Sequence, residues 1–245
     1  MRKVFAALLA IIIITPIYAQ DLIQVIPEWA DNGDLVFYCD NKGYGEYTVY
    51  VDVVDIEGLQ ADVTLPYAKT VDKGRTTLFT LKKTGLSGSY SYYYSFHVGC
   101  ISPAVDNEAS YLLPVQNDEQ AKVLDLDYSD DILGKLNPVN WNAKQFSITK
   151  DDTVTAMRGG IVVETKDINT SPRTDSWFTS NDNYVRVLHD DCTVGTYQVF
   201  KDGSINVKPG DNIEPGQPIG LAGKEVKNEN WQVRAMVYKY MNNPN

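Results

Sequence analysis

An all-β fold follows from three features of the sequence. Apolar and polar residues alternate over short runs, turns rich in Gly and Pro separate those runs, and no segment carries a long stripe at helical spacing. The chain has 245 residues, 43% hydrophobic and 22% charged. That is enough for one large domain or two modest ones with proper cores. The strands fall into an N-terminal group over residues 22–115 and a second group in the C-terminal half.

The first nineteen residues stand apart. Arg2 and Lys3 precede an unbroken apolar run from Val4 to Ile14, which Thr15-Pro16 interrupts. Ile17-Tyr18-Ala19 then supplies a small residue ahead of Gln20. An apolar core this short does not span ~30 Å of hydrocarbon, which takes ~20 residues. Residues 1–19 therefore read as a cleaved signal peptide, and export to the periplasm or cell surface is expected. No cysteine stands at the cleavage point, which argues against a lipoprotein, and no later apolar run is long enough to cross a membrane. Losing Arg2 and Lys3 leaves 20 basic residues against 32 acidic ones, a net charge of −12. Phosphate backbones and anionic lipid headgroups repel such a protein, so nucleic acid is not an expected partner.

Leu35 to Cys39 is apolar and β-prone and runs into a turn at Asn41-Lys42-Gly43. Tyr47, Val49, Val51 and Val53 alternate with Thr48, Tyr50 and Asp52, the period of a half-buried strand. Thr76–Leu81 and Ser89–Val98 are further strands, with turns at Glu57-Gly58, Lys73-Gly74 and Gly85-Leu86-Ser87-Gly88. Regular short strands of this kind predict a sandwich-like module over residues 20–115. The cluster Tyr90, Tyr92, Tyr93, Tyr94 and Phe96 reads as a strand with one buried face, because aromatic residues favour strands. Three cysteines, Cys39, Cys100 and Cys192, leave at least one thiol unpaired. Cys39 and Cys100 both lie in the N-terminal half and are the expected disulfide.

Residues 116–140 read as a connector. Asp125 to Asp131 superficially suggests a calcium loop, but its sixth and twelfth positions are Asp130 and Leu136, where an EF-hand needs glycine and glutamate. Beyond it come strands within Thr153–Glu164, Tyr184–His189, Gly195–Phe200 and Trp231–Tyr240, with a polar insertion at Asp167–Asp182. Pro209-Gly210 and Pro215-Gly216 each sit at the centre of an expected type II turn, where Gly accepts a positive φ.

The order of these phrases resembles the lysostaphin/LytM-type peptidoglycan zinc endopeptidases over about residues 141–240, leaving a tail at 241–245. Thr153-Val154-Thr155-Ala156 with Gly160-Ile161-Val162-Val163 is similar to their GTPVYAxxxGxV segment. Asn183 to Asp190 is similar to their NYVxIxHxDG strand, and Val207 to Gly223 to their VxxGDxVxxGQxIGxSG signature. The resemblance implies a LytM-like β-barrel or sandwich, preceded by an accessory β module that Tyr92–Pro114 resembles. The V-x-x-G-D-x-I phrase also occurs in lipoyl and biotinyl carriers. Those need a modifiable lysine, where this chain has Ala156-Met157-Arg158-Gly159.

The family's chemistry requires zinc held by a His-x-x-x-Asp pair and by one histidine of a His-x-His motif. Two imidazoles and a carboxylate leave a fourth position where water becomes nucleophilic. By the resemblance, the His-x-x-x-Asp positions fall on Trp141 and Gln145. Val199 stands at the histidine of a Tyr-x-His-Leu segment, and Trp231-Gln232-Val233 near the His-x-His. The whole chain has only His97 and His189. Indole, amide and valine do not substitute for imidazole or carboxylate on zinc. The expectation is no catalytic residue, no metal and no cofactor, with a degenerate groove lined by Trp141, Gln145, Val199, Trp231 and Val233. His189-Asp190-Asp191-Cys192 gathers three donor types, but on a strand they converge only across a sharp turn. Asp-Asp at a strand end reads as that turn, with Cys192 at the family's turn glycine. The implied function is an inactive envelope protein that binds, regulates or scaffolds, with peptidoglycan or an envelope protein as partner. An active endopeptidase with a rebuilt metal site and a purely structural module are the alternatives.

Overall fold

The computed structural model describes residues 22–116, 121–126, 142–148, 152–168, 182–224 and 230–240. The expected signal segment, Trp141 and most of the 167–182 insertion lie outside the described residues. Every regular element among them is a strand, and no helix is long and apolar enough to cross a membrane.

The N-terminal module packs two antiparallel sheets. One has the order β1 (Ile23–Trp29), β2 (Leu35–Asn41), β6 (Gly74–Lys83), β4 (Leu59–Ala61), and the other β5 (Tyr67–Val71), β3 (Tyr47–Glu57), β7 (Ser89–Val98). Period-2 alternation turns Leu35, Phe37 and Cys39 inward from β2, and Tyr47, Val49, Val51 and Val53 inward from β3. Tyr90, Tyr92, Tyr94 and Phe96 of β7 pack on the same core, while Tyr93 faces out. The aromatic cluster is thus a strand with one packed face, as its composition suggests.

The C-terminal domain is built on a seven-stranded antiparallel sheet with a two-stranded ribbon against it. The sheet order is β14 (Asn212–Ile213), β11 (Gly160–Lys166), β12 (Tyr184–Leu188), β13 (Val194–Gln198), β16 (Trp231–Tyr238), β9 (Ala143–Ile148), β8 (Lys122–Leu126). The ribbon pairs β10 (Thr153–Thr155) with β15 (Pro218–Leu221). Both Pro-Gly turns close with the i to i+3 hydrogen bond of the expected type: Asp211 N–H donates to Lys208 O at 3.1 Å and Gln217 N–H to Glu214 O at 3.1 Å. Gly210 and Gly216 have φ of 97° and 78°, values that L side chains resist. The stretch 116–140, read as a connector, contributes the edge strand β8, five residues paired along β9.

The two modules are in contact. Val98 of β7 packs with Val163, Leu188, Val194 and Tyr238. Gly45, at φ 81°, lies so close that a Cβ there would sit 2.7 Å from Leu188. From Tyr111 to Gln116 the chain runs along the second domain, with Leu112 N–H donating to Met157 O and Gln116 N–H to Thr153 O. His97 stacks on Tyr240 with ring centroids 3.7 Å apart, and its Nε2 lies 3.3 Å from Tyr50 Oη. Burial lowers the His97 pKa from its ordinary value, and burial likewise lowers that of His189. The unfolded chain therefore binds protons more readily, so stability is full above about pH 6.5 and falls as pH drops below that value. Urea midpoints should be level between pH 7 and 8 and decline toward pH 5.5, with a shallower decline in His97→Phe; a level profile throughout would contradict this assignment.

Candidate functional site

Antiparallel partners place their side chains on the same face of a sheet, so the register of β16 sorts this domain's residues into two sets. Trp231 lies opposite Ile148 and Val233 opposite Phe146. These residues, with Ala235, Tyr197, Val185 and Val187, form the hydrophobic core against the ribbon. The other face carries polar rows beside apolar clusters at Ala143 and Met236 and at Leu188 and Val194. One row runs Gln145, Arg234, Gln198, Tyr184, Lys166 across five strands. A second runs Ala143, Met236, Thr196, Arg186, Glu164, and Ser147 stands opposite Gln232. Thr196, Gln198, Gln232 and Arg234 are each less than 5% exposed.

The polar rows are joined by side-chain contacts. Arg234 Nε donates to Gln145 Oε1 at 3.4 Å, and Gln145 Nε2 donates to Ser147 Oγ at 3.3 Å. Arg186 Nη1 donates to Glu164 Oε2 at 2.7 Å, the Tyr184 hydroxyl donates to the other carboxylate oxygen, and the guanidinium lies 4.9 Å over the Tyr184 ring. Burial, with the Glu164 charge and hydrogen bond adding to it, holds the Tyr184 phenol protonated. Gln198 Oε1, Gln232 Nε2 and Thr196 Oγ1 are buried without a hydrogen-bond partner.

The expected groove residues therefore do not share a face. Gln145 lies in the polar row, whereas Trp231 and Val233 belong to the core, and Trp141 falls outside the described residues. The pair facing Gln145's side is Gln232 and Arg234, one residue along from Trp231 and Val233. The apolar alternation Val233, Ala235, Val237 is the sequence signal that assigns them. Val199 is buried at φ 70°, a left-handed conformation rare for a β-branched residue, which breaks the alternation after Tyr197. Of the positions where the resemblance implies zinc ligands, these rows hold Gln145, with the Arg234 guanidinium opposite it and the Gln232 amide on the same face. A guanidinium has no lone pair to give, and Glu164, the carboxylate of the rows, is taken by Arg186 and Tyr184. The donor set does not fit zinc.

A second constellation lies at the junction of the two modules. The expected Cys39–Cys100 disulfide is corrected: Cys100 pairs with Cys192, Cα atoms 5.6 Å apart, and Cys39 is free and buried. The cause is strand alternation, which turns Cys39 with Leu35 and Phe37 into the sandwich core. There burial, aided by Asp40, pushes its thiol up to about 11. Cys100 follows the end of β7, and Cys192 lies in the β12–β13 turn. That turn is tight: Cys192 N–H donates to His189 O, and Asp191 Oδ1 accepts from the amide and hydroxyl of Thr193. Cys192 takes φ 63°, the conformation a turn glycine would adopt. His189 Nδ1 lies 2.8 Å from Gly159 O, which makes it the protonated nitrogen.

Arg158 Nη1 donates to Asp191 Oδ2 at 2.8 Å and to the Tyr111 hydroxyl at 3.1 Å, and its Nη2 donates to Asp190. Burial opposes ionisation of Asp191, but the hydrogen bonds from Thr193, Arg158 and the Asp106 amide outweigh it and hold the carboxyl well below the usual range. Glu46 Oε2 lies 3.0 Å from Cys100 Sγ and 2.9 Å from Cys192 Sγ. Glu46, Cys100, Arg158, Asp190, Asp191 and Cys192 line a cleft of about 420 Å³.

Residues 140–244 match the family model of Peptidase family M23. No curated protein matches the chain. Among solved structures, the crystal structure of the SpoIIIAH and SpoIIQ complex shows 22% identity over 53% of this chain and 92% of the matched one, with a TM-score of 0.38. The catalytic domain of lysostaphin from Staphylococcus simulans shows 21% identity over 50% and 84%, with a TM-score of 0.33. A zinc-containing peptidase from Vibrio cholerae shows 12% identity over 89% and 84%, with a TM-score of 0.38. All three likenesses are distant.

The two aspartates of the turn should behave differently. The Asp191 side chain is 6% exposed and that of Asp190 87%. Asp191→Asn should lower stability in urea by about 1–3 kcal/mol, whereas Asp190→Asn should change it by less than about 0.5 kcal/mol. Equal effects would contradict the described geometry.

Proposed function

We propose, from the match of residues 140–244 to the family model of Peptidase family M23, that the protein is an exported cell-envelope component that does not hydrolyse peptide bonds. Its M23 domain works as a binding, regulatory or scaffolding module, with peptidoglycan or an envelope protein as partner. The observation that carries this reading is the row Gln145, Arg234, Gln198, with Gln232 beside it, on the polar face of the seven-stranded sheet. Without imidazole or free carboxylate donors there, no metal is expected on that face to make water nucleophilic.

Strong negative charge argues for a partner that is not itself polyanionic.

Incubating the full mature chain with isolated peptidoglycan and added zinc should release no new peptide termini, and the protein should sediment with the cell-wall material. Peptide release that a chelator abolishes would overturn the reading in favour of an active endopeptidase.

A further inference from the structure

Three donor atoms from three distant segments meet at the module junction. Glu46 comes from the loop before β3, Cys100 from the end of β7 and Cys192 from the β12–β13 turn, and their Oε and Sγ atoms all lie within 4.8 Å of one another. One oxygen, Glu46 Oε2, touches both sulfurs. A disulfide sulfur carries no proton, so in the oxidised protein this oxygen gains no hydrogen bond from either. The contact becomes favourable when the sulfurs are thiols that donate to it, and more so when two thiolates and the carboxylate surround a cation.

The surroundings have the same sign. The cleft beside the sulfurs is lined by Glu46, Asp106, Asp190 and Asp191 against the single guanidinium of Arg158. Arg158 is already committed to Asp190 and Asp191, and Glu46 makes no ion pair among the described residues. Cys192 is also held at φ 63°, a strained conformation for a residue other than glycine that persists only where the surrounding structure fixes it. Two sulfurs and one carboxylate oxygen are a ligand set for zinc-class ions. The open side of the cleft leaves room for water as a fourth ligand.

We propose that Glu46, Cys100 and Cys192 form a redox-gated site for a thiophilic divalent cation of the zinc class, with the disulfide and the ion as alternative occupants. A dithiol reductant opens the site: it transfers two electrons to the Cys100–Cys192 bond, leaves as its own disulfide, and yields two thiols. Cation binding then displaces their two protons to solvent. Either occupant links the two modules, so the junction is closed by a covalent bond under oxidising conditions and by a metal under reducing ones. The site is independent of the polar face of the seven-stranded sheet, and of whether that face is catalytic.

The test is titration of Co²⁺, then Zn²⁺, into the full mature chain after reduction with a phosphine. The oxidised chain is the folded control of identical sequence. The reduced chain should take up one equivalent of Co²⁺ with thiolate-to-metal charge-transfer absorption in the near ultraviolet, and Zn²⁺ should displace it. The oxidised chain should bind at least about 100-fold more weakly, and E46Q should weaken binding to the reduced chain at least about tenfold. Cys39→Ala should leave the spectrum unchanged. No charge-transfer band in the reduced wild type, or a band that survives Cys192→Ser, would overturn the proposal.

Discussion

The register of β16 between β9 and β13 is the constraint on which the C-terminal domain depends. Side chains on a strand alternate between faces, so sliding β16 by one residue would exchange its two sets completely. As paired, Val233, Ala235 and Val237 close the core while Gln232 and Arg234 join the polar rows. The opposite register would move the Arg234 guanidinium away from its polar neighbours and in among Tyr197, Phe146 and Val185. Burying a charge away from polar partners is far more costly than the loss of any one apolar contact, so the hydrophobic core fixes which side chains occupy the polar face. The site's chemistry is thus decided by packing on the other side of the sheet.

The junction imposes a second constraint on the same sheet. The β12–β13 turn is held from three sides: by the Arg158–Asp191 pair, by the His189 contact to Gly159, and by the link from Cys192 to Cys100. The ordered run from Tyr111 to Gln116 adds backbone hydrogen bonds along β10. The N-terminal sandwich therefore docks on one end of the seven-stranded sheet, through Val98 and His97. Its acidic groups and the acidic turn are brought into one cleft, and that concentration of like charge gives the cysteine pair its chemical setting.

Much of this was legible in the sequence because local rules and tertiary packing agree. Tyr47 to Val53 alternates as a strand with one buried face should, and the two Pro-Gly turns have the conformations their residues demand. The Asp190-Asp191 turn and the glycine-like place of Cys192 were readable for the same reason. Three features were not. The β16 register was ambiguous because Trp231-Gln232-Val233 offers an apolar pair and a polar residue within a single residue's slip, and only the continuation to Ala235 and Val237 decides it. Strand β8 was hidden because its residues are almost all exposed at a sheet edge, so no alternation marks it. The disulfide was misassigned because nearness in sequence says little about Cβ geometry. The inward phase of Leu35, Phe37 and Cys39 already placed that thiol in a core.

The central claim is that the polar face of the seven-stranded sheet carries guanidinium and amide groups rather than metal donors. Crystals of the protein grown with excess zinc, recorded at the zinc absorption edge, test it directly. The account predicts no anomalous peak within bonding distance of Gln145, Gln232 or Arg234. A fully occupied zinc ion on that face would contradict it.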